Sequence, residues 1–418
     1  MVNYLFDGAS VWRTVGSVAL AILVLLVMIT VHEFGHYIVG KRLGFKINEF
    51  SIGFGPAIFK HINKKTGELF SVRLIPLGGY CAFEDEDGLE EPPQGETVKE
   101  KQQGETVKEK QPMPENNGRN TGKRFCEQPP WKRILVLLSG VTMNYLLALL
   151  CIILSFTVFG QLMLVTYEVE PSEAYASEYS FQNKDVILKA EGEDVYSTTD
   201  LMSVLKGKQE GDEVKFYVSR LKSVDENGKN IRAEEEITVK LRASTNFENS
   251  ADSDRLWEAL GIAKEKNERG DVVTDEDGNV SYLVYSTRYK QRFFPALGRS
   301  FVYSFRIAGA IFKVLGELLT GALGVENFGG PVTTIRLTSQ IVSRGIQPLL
   351  EITAYIGVNL AVFNLLPLPS LDGSKIVFTA IEWARGKPVN RKVEAVIHAV
   401  GLALLFGFAI LVDILQFV

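Results

Sequence analysis

Val31-His32-Glu33-Phe34-Gly35-His36 is a His-Glu-x-x-His pattern, and it lies inside an apolar run from about Val15 to Gly40. On a helix His32 and His36 stand one turn apart on the same face, so both imidazoles can hold one Zn²⁺. Glu33 can then reach a water on that metal and accept its proton. Ionisable side chains within a segment of membrane length are disfavoured unless they serve a function. A buried helix carrying two hydrogen-bonded histidines would give no reason for Glu33.

The rest of the chain sets the frame. Its 418 residues leave room for two or three domains, and a net charge of −5 gives no reason to invoke nucleic acid. Hydrophobic content is 46%, gathered into near-continuous apolar stretches separated by charged segments. That is the profile of an α-helical polytopic membrane protein with soluble insertions. Cys81, Cys126 and Cys151 are odd in number and lack metal or redox spacing, so free thiols are expected. His61 and His398 are the only histidines outside the motif.

The first apolar run has neither a basic leader nor a small-x-small cleavage site, and is read as a retained membrane helix. Lys41, Arg42 and Lys46 follow it and place that end in the cytoplasm. Residues 48–83 turn strand-like, with Phe50-Ser51-Ile52-Gly53-Phe54-Gly55, a turn near Asn63–Gly67, and a β-rich Leu69–Leu77. Composition leaves two readings open: a surface hairpin, or one dipping towards the bilayer with an edge free for an extended substrate. Residues 84–125 are polar and repeat Gln94–Gln102 as Gln103–Gln111, and disorder is expected there.

A second apolar run spans about Ile134 to Gly160, preceded by Lys132 and Arg133. Its one strongly polar residue, Asn144, is either interhelical glue or a group facing the metal site. Residues 163–290 read as a soluble insertion, with strands at Glu213–Val218, Glu236–Leu241 and Val280–Tyr285 and a helix at Thr199–Lys206. Pro171-Ser-Glu-Ala, Asp185–Val195 and the helix after them resemble the middle of a PDZ domain. From Leu297 to Leu323, Arg299, Arg306, Lys313 and Glu317 form one polar stripe on an apolar helix, which Asn327–Pro331 breaks.

The third run, about Leu349 to Leu371, carries Asn359 and Asn364 and leads through Pro367 and Pro369 to Asp372-Gly373. A fourth, Val393 to Val418, holds His398 near its start as a surface or packing histidine. A catalytic zinc usually has three protein ligands. Helices one and three both run from outside to inside, so Asp372 meets His32 and His36 at similar depth. An Asp-Gly helix cap is the plainer reading of Asp372, but irregular backbone at that depth belongs where it lines a wet cavity.

His32-Glu33-Phe34-Gly35-His36, Leu77-Gly78-Gly79-Tyr80, the PDZ-like insertion and Asn364-Leu-Leu-Pro-Leu-Pro-Ser-Leu-Asp372-Gly373 together resemble the site-2 protease family of intramembrane zinc metalloproteases. The similarity is to the bacterial branch that contains the regulator of the sigma-E response, in a form with one PDZ-like domain. One departure stands out: the family's Gly-Pro-x-x-Asn is Gly140-Val141-Thr142-Met143-Asn144 here. The resemblance implies that His32, His36 and Asp372 bind zinc and that Glu33 is the catalytic base. It gives Asn364 a role in orienting substrate or steadying the oxyanion, and Asn359, Gly53, Gly55 and Asn144 roles towards substrate. Residues 48–83 become a re-entrant β-hairpin in the membrane.

The expected organisation is therefore 1–47 first membrane helix, 48–83 hairpin, 84–130 cytoplasmic linker, 131–162 second helix, 163–290 PDZ-like α+β domain outside the cytoplasm. There follow 291–348 interfacial helix and connector, 349–384 third membrane helix and 385–418 fourth. By the same resemblance the protein sits in a bacterial inner membrane, embedded in the lipid bilayer, with its site towards the cytoplasm. Its partners are single-pass membrane substrates already cut by another protease, such as anti-sigma factors or signal-peptide remnants. A membrane zinc transporter would not need Glu33 beside His32, and a non-catalytic PDZ-bearing scaffold would not need the three ligands intact.

Overall fold

The computed structural model describes residues 8–86, 122–170, 180–226, 228, 230–247, 253–267, 269–274, 280–321, 324 and 329–417. In chain order the elements are α1 (Gly8–Leu43), β1 (Ile47–Ile62), β2 (Leu69–Phe83), α2 (Pro130–Leu154), β3 (Gln161–Thr166), β4 (Val186–Ala190) and β5 (Glu193–Asp194). After them come α3 (Thr198–Leu205), β6 (Glu213–Val224), β7 (Asn230–Lys240), α4 (Ser253–Ala259) and β8 (Val284–Tyr289). The chain closes with α5 (Phe293–Thr320), α6 (Pro331–Val342), α7 (Ile346–Leu365), α8 (Asp372–Arg385) and α9 (Arg391–Phe417). Two compact units result: Met1–Ile153 with Ser300–Val418, and Leu154–Arg299.

Among the described residues four helices are long and apolar enough to cross a membrane: Thr14–Leu43, Pro130–Phe159, Ile346–Leu365 and Arg391–Gln416. Unbroken Leu, Val and Ile runs leave a helix as the one local structure that closes its own backbone hydrogen bonds in lipid. Apolar side chains such as Leu23, Val27, Leu404 and Phe406 stay exposed along α1 and α9. In the second run α2 passes into a π-helical turn at Ser155–Phe159.

The third run differs from its expected form. The stretch 349–384 is not one membrane helix: α7 stops at Leu365, and α8 begins at Asp372. Pro367 and Pro369 remove backbone donors and push the residues before them out of the helical region. Pro331 likewise opens α6 at its first turn, where a missing N–H leaves no helical bond unmade.

β1 and β2 are both bent, so they pair more than once. Residues 47–52 lie opposite 79–83, and 49–52 also opposite 69–72, while 57–62 lie opposite 69–73. The bend falls at Gly53 and Gly55, both in the left-handed region, with φ of 86° and 83°. At Gly53 an added Cβ would also sit 2.7 Å from the Ile75 carbonyl oxygen. The sheet rests on α1 through Tyr37, Phe50, Phe70 and Phe83, part of one apolar cluster with Phe45 and Phe125. Of the polar segment expected to be disordered, residues 87–121 lie outside the described residues. Its near end joins the sheet, where Phe125 N–H donates to the Glu84 carbonyl.

In the second unit a six-stranded sheet runs β7-β6-β4-β3-β8, with β5 paired to β4. Its core holds Ile187, Leu201, Leu205, Phe216, Leu256 and Ile262, all at most 2% exposed. Ser197 caps α3 in a reciprocal box with Asp200. Two expected strands lengthen, and the third shifts to Val284–Tyr289. Arg299, expected on the polar stripe of an interfacial helix, turns inward instead. It is buried, and its guanidinium donates to Gln161 Oε1, Asp194 Oδ1 and the Leu188 and Val195 carbonyls.

Candidate active site

The site begins with the face α2 turns to α1. Val136, Gly140 and Asn144 are spaced by four and share that face. Gly140 leaves the room: a Cβ there would fall 2.4 Å from His36 Nε2 and 2.8 Å from His32 Cε1. His36 Nδ1–H donates to the Val136 carbonyl at 2.8 Å, which fixes the tautomer and leaves Nε2 with its lone pair outward. Asn144 is fully buried, its amide nitrogen 3.4 Å from His32 Nδ1.

Asp372 joins from the first position of α8. Its Oδ2 lies 3.0 Å from His32 Nε2 and 3.3 Å from His36 Nε2, and the two Nε2 atoms are 3.1 Å apart. A tetrahedral zinc with ligand bonds of about 2.0–2.1 Å spaces its ligands about 3.3 Å apart, so the triangle fits that ion closely. The Asp372 Oδ2 atom is buried, with the Nε2 atoms of both imidazoles within 3.3 Å. Buried acceptors facing one another without a donor require a cation or a shared proton. Among the described residues this is the one group of His, Cys, Asp and Glu positioned to hold a metal.

Glu33 lies beside the triangle, and its Oε2 accepts the Cys81 backbone N–H at 2.9 Å. Cys81 belongs to the 79–83 segment, whose other side pairs with β1. An added Cβ on Gly79 would lie 3.8 Å from Glu33 Cγ, so this strand edge runs directly past the carboxylate.

The remaining expected residues divide. Asn144 meets His32 rather than open surface. Asn364 is half-buried on α7, seven residues beyond Gly357, which packs against Met28 of α1 and Ala148 of α2. Seven residues is two turns, so both residues share that face. Asn359 turns its amide back to the Tyr355 carbonyl of its own helix. Gly53 and Gly55 shape the bend in β1. Val136, Gly140 and Cys81 were not singled out as site groups, because two act through backbone atoms and one by lacking a side chain. Only the four-residue spacing with Asn144 carried a hint of them.

A membrane-length helix bearing His-Glu-x-x-His, with a carboxylate brought to both imidazoles by a second helical element, defines a membrane metallohydrolase of the zinc type. The chain belongs to peptidase family M50, the site-2 protease family, whose model matches residues 20–408. It is 28% identical over 453 aligned positions to the zinc metalloprotease RasP of Oceanobacillus iheyensis, covering 94% of this chain and 96% of that protein. Candidate zinc metalloproteases of Rhizobium meliloti and Fusobacterium nucleatum are each 27% identical; the alignments cover 91% and 94% of this chain and 90% and 96% of those proteins. The protein is thus a membrane zinc metalloprotease.

Proposed function

We propose that the protein is an endopeptidase cutting within or near the transmembrane segment of single-pass membrane proteins. The observation that carries this is the three-atom triangle of His32, His36 and Asp372 with Glu33 and a strand edge beside it. In this reading His32, His36 and Asp372 hold the zinc. When bound there, zinc polarises the scissile carbonyl and lowers the pKa of its water towards neutrality. Glu33 takes the proton from the attacking water and passes it to the leaving amine.

A helical substrate keeps its peptide bonds inside its own hydrogen-bond ladder and must unwind to be cut. The Gly79–Phe83 edge offers replacement backbone partners, and it does so beside the base. Asn364, on the α7 face turned to α1 and α2, orients the substrate backbone. Asn144 orients His32: turning its amide about the last side-chain bond brings the buried, unpartnered Oδ1 to a His32 Nδ1–H, which leaves Nε2 for the metal. Residues 163–290 act as a PDZ-like filter outside the cytoplasm, admitting substrates already shortened, such as anti-sigma factors or signal-peptide remnants. The basic Lys41, Arg42 and Lys46 support an inner-membrane orientation with the site on the cytoplasmic side.

The test is cleavage of a tagged, truncated single-pass protein in membranes by the native enzyme and by Glu33→Gln. A loss of about 10²–10⁴-fold is expected, with zinc content unchanged. Equal cleavage by both proteins would remove Glu33 as the base.

A further inference from the structure

α9 reaches the zinc site without contributing a ligand. Ser370, two residues before Asp372, has φ of 74°, a left-handed conformation disfavoured for a residue with a side chain. Two bonds from one residue of α9 hold it there. Ser370 N–H donates to His398 Nδ1 at 2.9 Å, and Ser370 Oγ–H donates to the His398 carbonyl at 2.7 Å. The ring of His398 is itself set edge-on against Phe378 of α8, with centroids 5.7 Å apart. One turn further along α9, Gly401 lets the helix touch the same loop: a Cβ there would fall 2.1 Å from Pro369 Cβ.

The loop needs such a brace. Pro367 and Pro369 deprive it of donors, and Asp372 must leave it at an angle that brings Oδ2 within 3.3 Å of both imidazoles. We infer that His398 is a positioning residue for the third zinc ligand: its Nδ1 and carbonyl fix Ser370 in its left-handed conformation and so set where α8 starts. This rests on Asp372 being a ligand. It makes the fourth membrane helix, which carries no site motif of its own, part of what determines zinc affinity.

The side-chain atom matters, which permits a sharp test. Asn places an acceptor near the position of histidine Nδ1, Gln places one near Nε2, and Leu places none. The full chain in detergent is loaded with zinc and its affinity read by competition with a chromophoric chelator, alongside cleavage of the truncated substrate and a thermal unfolding midpoint. His398→Leu is expected to lose about 10–100-fold in zinc affinity, the scale of lost outer-sphere support. His398→Gln should fall with it, and His398→Asn should stay within a few-fold of native. Adding Ser370→Gly to His398→Leu, which removes the penalty of the left-handed conformation, should recover most of the affinity.

Native affinity in His398→Leu, or an equal loss in the Asn variant, would overturn the inference. So would a double variant no better than His398→Leu. A fall in the unfolding midpoint shared equally by Asn, Gln and Leu, with zinc affinity tracking it, would reduce His398 to a packing residue. Asp372→Ala serves as the reference: unchanged affinity there removes the ligand reading itself, whereas a loss there with native affinity in His398→Leu removes only the role of His398.

Discussion

Two buried polar clusters, one in each unit, are assembled on opposite principles. Around Arg299 every group has its complement: one guanidinium donates to a side-chain amide oxygen, a carboxylate and two carbonyls, and stacks 4.5 Å from the Tyr196 ring. Around Asp372 three atoms meet that can all serve as metal ligands, two imidazole nitrogens and a carboxylate oxygen. The first cluster is complete as folded and has no use for a ligand. The second brings lone pairs together and needs a cation or a shared proton among them. Burial of charge alone would not tell them apart; the balance of donors against acceptors does.

That contrast can be broken experimentally. Removing zinc with a chelator should abolish cleavage, restored by added zinc, while hydrogen exchange in β3, β4 and β6 stays as it was. Exchange that accelerated across those strands would mean the second unit also depends on the metal. Arg299→Met leaves the Asp194 carboxylate and two carbonyls without the guanidinium, and should destabilise that unit by about 3–5 kcal/mol. Exchange in the same strands is the readout, and zinc affinity should not follow.

Gly140→Ala places a methyl group against both imidazoles. A zinc affinity lowered by about 10–100-fold is expected, measured by chelator competition; native affinity would show that the histidines can shift without loss. The smallest effect concerns Glu235, which Lys222 and Arg220 hold below the usual carboxylate range. A group with a depressed folded pKa adds stability above its unfolded value, about 4.5, and loses it as pH falls through the folded one. Glu235→Gln should therefore lower the unfolding midpoint at about pH 6 by the equivalent of a few tenths of a kcal/mol, with the difference closing below about pH 4. A gap that persisted at low pH would point to packing rather than charge.

The parts of this design legible in the sequence were those written in local pattern. Four apolar runs were visible because lipid demands about 20 residues of uninterrupted helix. His32, Glu33 and His36 were visible because one helical turn joins them. Asp372 was reachable by depth alone, from the direction of each run and the prolines before it. Pro367 and Pro369 marked a break before Asp372, but the run was still bounded as one membrane helix because apolar residues continue through Leu371, whereas α7 ends at Leu365. Arg299 matched the spacing of a polar stripe, yet its neighbours lie more than a hundred positions away in sequence. Cys81 and His398 act through partners about 30 to 50 residues distant, and nothing in their own surroundings marks them.

The bond from Cys81 N–H to Glu33 has a consequence for the order of events. If an extended chain pairs with the Gly79–Phe83 edge as proposed, its carbonyl competes with the Glu33 carboxylate for that N–H. In that case docking of the chain and release of the base would be one event. Without such a strand, the Glu33 carboxylate is held by the enzyme's own backbone.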